Sequence, residues 1–391
     1  MRKLQFDKSH ILLWLISALF LTAFVVGIAV LRSESLSSQL RTDQPINVLL
    51  IFQQDEKPVS TQLLTFYPSK AKAALLDVPG NTAVILTTIK RMDRIDYTFK
   101  ANSPKSFATE VSHYLDIPLN GYLLFDEKGL SSFVDYLNGL QLFIPSMIIQ
   151  EGQQGVRLPG GAVTLDGDKV LQFLRYKEEQ ENEGDALARR QKMALALIKR
   201  LAYNSAYLEN KKSASILTKS IKSNFSGQAL RRLLQEIAKL DADAVLMQRI
   251  TGTYRMVEGE EKFFPFYDGE LARDMLKQTL NAMSVASNTT SGGRIYTVEI
   301  LNGTTERGLA SRTAEIFGSF GYDVVAVGNA DKFEYTSTRI IDRYGDKEAL
   351  ASIGAVIKCV NFGDASEYKG SIKADYSIIL GKDFNGRECV Q

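Results

Sequence analysis

Residues 173–192, FLRYKEEQENEGDALARRQK, hold the side chains in this chain best suited to gripping an anion. Arg175 and Lys177 lie two apart, an aspartate (Asp185) follows, and Arg189 and Arg190 come just before the end of the stretch. If the apolar run before them continues as a strand, Arg175 and Lys177 point to one face. Guanidinium forks grip phosphate through two parallel bonds, and the start of the helix that should follow adds partial positive charge. The chemistry served would be phosphate binding or phosphoryl transfer, where positioning and charge neutralisation do most of the catalytic work. The same 20 residues carry five cations and five acids, so a neutral, solvated loop is the competing reading.

The elements around this stretch are those of an α/β chain. NVLLIF (47–52), QLLTFYP (62–68) and AALLDVP (73–79) read as strands, the last two joined as a hairpin. SPKSFATEVSHYLDI (103–117) has helical spacing, GYLLFD (121–126) is a buried strand, and KGLSSFVDYLNGL (128–140) is a helix closed by Gly139. A long helix is expected from about Asp185 to Ala202, with further helices near 206–223, 226–240 and 268–283 and a hairpin over 249–266. SVASNTTSGG (284–293) is the best linker. Residues 294–385 then restart as a compact β-α-β-β-α-β unit.

Residues 11–31, ILLWLISALFLTAFVVGIAVL, run 21 positions without a charge. As a helix they would span the ~30 Å hydrocarbon core. Arg2, Lys3 and Lys8 before them predict an uncleaved single-pass anchor with its N-terminus inside the cytoplasmic membrane. The cytoplasmic tail is then 1–10, the juxtamembrane linker 32–45 and the first folded domain 46–283, with the bulk of the chain extracytoplasmic. Lys+Arg 47 against Asp+Glu 45 gives no basic signature of nucleic-acid binding. Two histidines and two cysteines do not supply a zinc cluster. Cys359 and Cys389 could form one bridge or stay free.

Five stretches in order behind the anchor resemble the LytR-CpsA-Psr family with its C-terminal LytR-type domain. They are NVLLI; KAKAALLDVPGNT (70–82); PLNGYLLFDEKGLSSFVDYLNGLQLFIP (118–145); LDGDKVLQFLRYK (165–177) followed by RRQK (189–192); and VEGEEKFFPFYDGEL (257–271). VEILNGTTERGLASRTAEIFGSFGYDVVAVGNA (298–330) and DYSIILGKDF (375–384) resemble the C-terminal domain. The resemblance implies a layered α/β domain facing the cell wall. It implies transfer of a glycopolymer from a polyprenyl pyrophosphate carrier to peptidoglycan, an apolar cavity for the lipid, arginine clamps and a magnesium ion placed by aspartates. Carried over by position, Asp185 and Arg190 take the catalytic roles, and Arg175, Lys177, Arg190 and Gln191 the phosphate-binding ones.

The chain departs from the family pattern in several places. Lys177 keeps charge but loses the fork, and one family arginine falls on Leu187. The proline-arginine-aspartate triplet reads Pro79-Gly80-Asn81, and an aspartate expected near Val59-Ser60-Thr61 is missing; Asp55 is the nearest acid. Losing clamp donors costs on the order of ~3 kcal/mol each in transition-state stabilisation. The expectation is therefore a binder of a polyprenyl (pyro)phosphate-linked glycopolymer whose catalysis is in doubt, with an active phosphotransferase as the alternative and a structural envelope role for the C-terminal unit as a third reading. Val84, Ile85, Leu86 and the apolar faces of helices 103–115 and 186–200 could line a lipid cavity or be plain core.

Overall fold

A computed structural model describes residues 44–101, 103–150, 156–176, 183–284, 296–368 and 374–390. The first unit runs β1 (Ile46–Gln54), β2 (Lys57–Tyr67), β3 (Lys72–Asp77), β4 (Ala83–Leu86), β5 (Arg91–Arg94), α1 (Lys105–Leu115), β6 (Gly121–Phe125), α2 (Glu127–Tyr136), β7 (Leu140–Ile144), β8 (Ile148–Gln150), β9 (Val156–Leu158), β10 (Gly161–Leu165) and α3 (Gly167–Arg175). It continues with α4 (Glu183–Tyr203), α5 (Ala206–Glu209), α6 (Lys211–Lys219), β11 (Lys222–Ser223), α7 (Gly227–Ile237), β12 (Leu246–Arg249), β13 (Gly252–Val257), β14 (Glu260–Pro265) and α8 (Glu270–Ser284).

Six strands form one sheet in the order β11-β6-β1-β2-β3-β12. All nine residues of β1 are buried, because the strand is central and both sheet faces are covered. Its alternation divides the core. Ile46, Val48, Leu50 and Phe52 face α2, α3, α4 and α7, while Leu49 and Ile51 face α1 and α8. The β2–β3 hairpin pairs Leu63 with Leu76 and Leu64 with Leu75, as the sequence predicts.

The strand expected to carry Arg175 and Lys177 is instead a helix, α3. Asp166 caps it by accepting from the Lys169 N–H, and Val170, Phe173 and Leu174 bury one face at helical spacing. Strand alternation therefore does not apply at Arg175. Lys177 lies outside the described residues, as do the predicted anchor at 11–31 and most of the 284–293 linker. Among the described residues no helix is long and apolar enough to cross a membrane.

The second unit contains β15 (Thr297–Asn302), α9 (Leu309–Ser319), β16 (Asp323–Asn329), β17 (Arg339–Asp342), α10 (Lys347–Val356), β18 (Phe362–Asp364) and β19 (Tyr376–Leu380). Its sheet order is β16-β15-β19-β17-β18, one short strand more than the predicted pattern. β18 was hard to read because only three residues pair and its burial does not alternate apolar-in. Cys359 and Cys389 form a disulfide, with Cα atoms 5.3 Å apart. That bridge fixes the segment bearing Arg387, whose guanidinium donates to the Val356 carbonyl (3.0 Å) and to Asp274 on α8 (2.7 Å). Gln278 on α8 also donates to the Ala355 carbonyl, so side chains of α8 hold the second unit against the first.

Candidate functional site

The end of β3 runs into Pro79-Gly80-Asn81, which forms one wall of a cleft of about 310 Å³. Its other walls are Pro58 and Val59 of β2, Arg94 and Asp96 at and beyond the end of β5, Arg190 of α4, and Glu260 and Glu261 of the β13–β14 hairpin. Backbone bonds fix the floor. The Asp96 N–H donates to the Gly80 carbonyl (3.0 Å), Ile95 N–H to Thr82 (2.8 Å) and Phe263 N–H to Asn81 (2.9 Å).

Arg94 and Asp96 form a fork. Nε of Arg94 donates to Oδ1 of Asp96 at 2.9 Å and Nη2 to Oδ2 at 2.6 Å. Burial holds the Asp96 carboxyl above its ordinary range, with the bonds and charge of Arg94 pulling the other way. Arg94 itself is held above its usual value, first by its bond to Asp96. Beside this pair, Asp93 takes an ion pair from Lys262 at 3.2 Å and is held low, chiefly by the Arg94 N–H. A Cβ built at Gly80 would sit 3.0 Å from Oδ2 of Asp96. Gly80 thus leaves room for the Arg94–Asp96 pair, which stands a hairpin away in sequence and beside positions 80 and 81 in space.

The sequence-predicted residues separate in the fold. Arg190 lines the cleft. Asp185 lies on α4, and its side chain is outside the described residues. Arg175, in the last turn of α3, donates to Glu127 at 3.3 Å and is not among the cleft-lining residues. Gln191 is buried, and its amide donates to the carbonyls of Leu75 (3.2 Å) and Gln248 (2.5 Å). One residue along a helix turns by about 100°, so Gln191 ties α4 to the sheet while Arg190 beside it faces the cleft. Arg189 caps the end of α3, donating to the carbonyls of Phe173 (2.7 Å) and Tyr176 (2.6 Å). Leu187 is core, and Asp55 is an exposed turn residue that is not among those lining the cleft.

Sequence reasoning missed Arg94, Asp96, Glu260 and Glu261. The usable signal was RMDRID (91–96), two charged-apolar-charged triplets just after a strand-length run. Four-residue strands such as β4 and β5 give too little periodicity to read.

Among the described residues no group of three His, Cys, Asp or Glu side chains converges to hold a metal ion. Asp96 in the cleft has both oxygens on Arg94, which does not fit a magnesium ligand. A second space lies on the other sheet face, between β1, β2, β6, α4 and α7, lined only by apolar side chains including Phe52, Phe125, Ala194 and Leu234. It measures about 30 Å³, the share of one water molecule. Ala194, Leu197 and Ile198 of α4 line it as core side chains, whereas Val84 and Ile85 line a different groove.

A family model described as the LytR_cpsA_psr family matches residues 31–281. The chain belongs to the LytR_cpsA_psr family. A second model, described as LytR cell envelope-related transcriptional attenuator, matches residues 295–384. Among curated LytR_cpsA_psr relatives, polyisoprenyl-teichoic acid–peptidoglycan teichoic acid transferase TagU of Bacillus cereus (strain AH820) is 21% identical over 202 residues, 50% of this chain and 65% of that protein. TagU of Enterococcus faecalis (strain ATCC 700802 / V583) is 24% identical over 159 residues, 39% of this chain and 52% of that protein. This chain therefore spans less than two thirds of the length of these relatives. The crystal structure of B. subtilis TagV superposes with a TM-score of 0.55 at 19% identity, covering 61% of this chain and 98% of TagV. A structure from Enterococcus faecalis described as a transcriptional regulator gives 0.53 at 15% identity, covering 62% and 90%. These likenesses establish the LytR_cpsA_psr α/β fold.

Proposed function

We propose that this protein is a membrane-anchored envelope protein that works outside the cytoplasmic membrane. It seats the phosphate of a polyprenyl-linked glycopolymer in the Arg94–Arg190 cleft and passes the polymer to peptidoglycan. The curated relatives carry that activity in their names. The observation that carries it here is Arg94, which puts a guanidinium beside Gly80, where the family's clamp arginine is missing. In the transfer an acceptor hydroxyl oxygen bonds to the phosphorus nearest the glycan. The P–O bond to the rest of the carrier breaks, and polyprenyl phosphate leaves with its electron pair. Arg94 and Arg190 offset the negative charge growing on the leaving phosphate. The acceptor's proton has three carboxyl groups in the cleft to go to, Asp96, Glu260 and Glu261. The Cys359–Cys389 bridge suits an oxidising compartment and supports the extracytoplasmic placement.

A second reading, lipid-phosphate binding without turnover, is favoured by one observation: both nitrogens of the Arg94 fork are already on Asp96. The test uses the full chain in detergent, with melting temperature measured against a polyprenyl monophosphate and pyrophosphate, with and without Mg²⁺, alongside release of polyprenyl phosphate. A melting rise that disappears in Arg94→Ala and Arg190→Ala is expected. Release of product supports transfer, a rise without release supports the binder, and no rise under any condition overturns both.

A further inference from the structure

The β4–β5 hairpin has the anion cleft at one end and, along its length, a second groove of about 380 Å³. That size lies within the ~300–1,000 Å³ of small-molecule sites. One wall is apolar: Ile85 and Met92, 69% and 56% exposed, a poor use of large side chains unless something covers them. The facing wall is polar, with His113 of α1 and Asp268 and Arg273 before and within α8. At its base the Tyr114 hydroxyl is enclosed and has no hydrogen-bond partner among the described residues. Asp268 is presented by a left-handed turn, with φ 53° at Tyr267, 50° at Asp268 and 80° at Gly269. Arg273 holds that turn, donating to the carbonyls of Asp268 (3.2 Å) and Tyr114 (3.3 Å). Non-glycine residues keep such φ values only where the surroundings enforce them.

The charges select the occupant. Glu110 is spent on the β4–β5 turn, accepting from Thr87 N–H and Oγ1 and from Thr88 N–H. That leaves Asp268 against Arg273 and His113, with no surplus to draw a polyanion and too much polarity for a hydrocarbon chain. A pyranose ring fits both walls: its C–H face packs on Ile85 and Met92, and its hydroxyls bond to Asp268, His113 and Arg273.

The register links this groove to the cleft. Ile85 pairs with Met92 and Ala83 with Arg94, so all four side chains lie on one face of the hairpin. Two residues along a strand span ~7 Å, so a saccharide resting on Met92 ends beside the Arg94 guanidinium. We infer that the Ile85–Met92–His113–Asp268 groove is the acceptor subsite, binding a neutral stretch of glycan and presenting one hydroxyl to the phosphate held at Arg94 and Arg190. This rests on the transfer reading and adds to it the place where the acceptor lies.

The probe is the β-1,4-linked N-acetylglucosamine tetramer, with binding to the full chain in detergent measured by calorimetry and saturation-transfer NMR. Ile85→Asp and Met92→Asp change exposed side chains and are expected to fold. Each should weaken tetramer binding by about tenfold or more, while the melting rise with polyprenyl phosphate stays as in the wild type. Wild-type affinity in both variants, or no binding to the wild type, overturns the groove. Binding that depends on Met92, together with no response to any polyprenyl phosphate, overturns the acceptor role and the transfer reading but leaves a saccharide site.

Discussion

Replacing Arg94 with alanine strips the Asp96 carboxylate of both its guanidinium bonds. The Arg94 side chain is 33% exposed and that of Asp96 13%, so the pair lies between two regimes. Exposed pairs are worth ~0.2–1 kcal/mol, and removing one partner of a buried pair costs ~3–5 kcal/mol. About 1–3 kcal/mol of folding stability should be lost at neutral pH. The loss should depend on pH in a fixed direction. Burial already raises the Asp96 carboxyl, and without Arg94 it rises further. A raised carboxyl means the folded protein holds the proton more tightly than the unfolded chain. Its contribution to stability is full below the unfolded value, ~3.9, and is lost as pH climbs through the folded one. Urea denaturation of Arg94→Ala should therefore show a deficit near pH 7.5 that shrinks towards pH 4. Binding should separate the two partners. Arg94→Ala should weaken polyprenyl phosphate by about tenfold, whereas Asp96→Asn, which releases the fork, should strengthen it. A pH-independent deficit, or weaker binding in Asp96→Asn, would refute the reasoning.

Three further outcomes are expected. Cys389→Ser opens a disulfide between residues 30 apart in sequence and should cost about 3–4 kcal/mol by loop-closure entropy; a melting temperature insensitive to both the substitution and a reductant would count against a structural role. Gln191→Ala removes an amide bonded to two buried carbonyls and should cost ~1–3 kcal/mol in urea denaturation. It should leave the lipid-phosphate response unchanged, and losing that response would restore Gln191 to the anion site. Ala194→Phe overfills the apolar space under α4 at a cost of ~1–3 kcal/mol. It should leave the melting responses to long-chain and short-chain polyprenyl phosphates alike, since a space of about 30 Å³ holds no lipid tail, and a selective loss for long chains would show the space opening to one.

The layered core was legible because long buried runs such as NVLLIF and strong amphipathic helices declare themselves in a single window. In the α3 region Phe173–Lys177 taken alone is consistent with a strand, whereas the Asp166 cap commits Gly167–Arg175 to a helix. Within the site, Arg190 could be found from the sequence and Arg94 could not. Arg190 sits in a motif with its own spacing, whereas Arg94 reaches the cleft only because the β4–β5 hairpin folds back and its neighbours Ile95 and Asp96 bond to Thr82 and Gly80. Gln191 shows the opposite failure. Its motif position points to the anion site, but one helical step turns its amide into the sheet.

The contact between position 80 and Asp96 also constrains how this sequence can drift. With 3.0 Å between a Cβ at 80 and Oδ2 of Asp96, a side chain at position 80 needs the Asp96 carboxylate to give by a few tenths of an ångström. Yet Asp96→Ala by itself leaves Arg94 without its partner. The two arrangements, clamp at 80 or clamp at 94, are joined by intermediates that are crowded or lack a charge partner. Gly80→Arg should therefore cost less in an Asp96→Gly or Asp96→Ala background, where no carboxylate stands against the new Cβ.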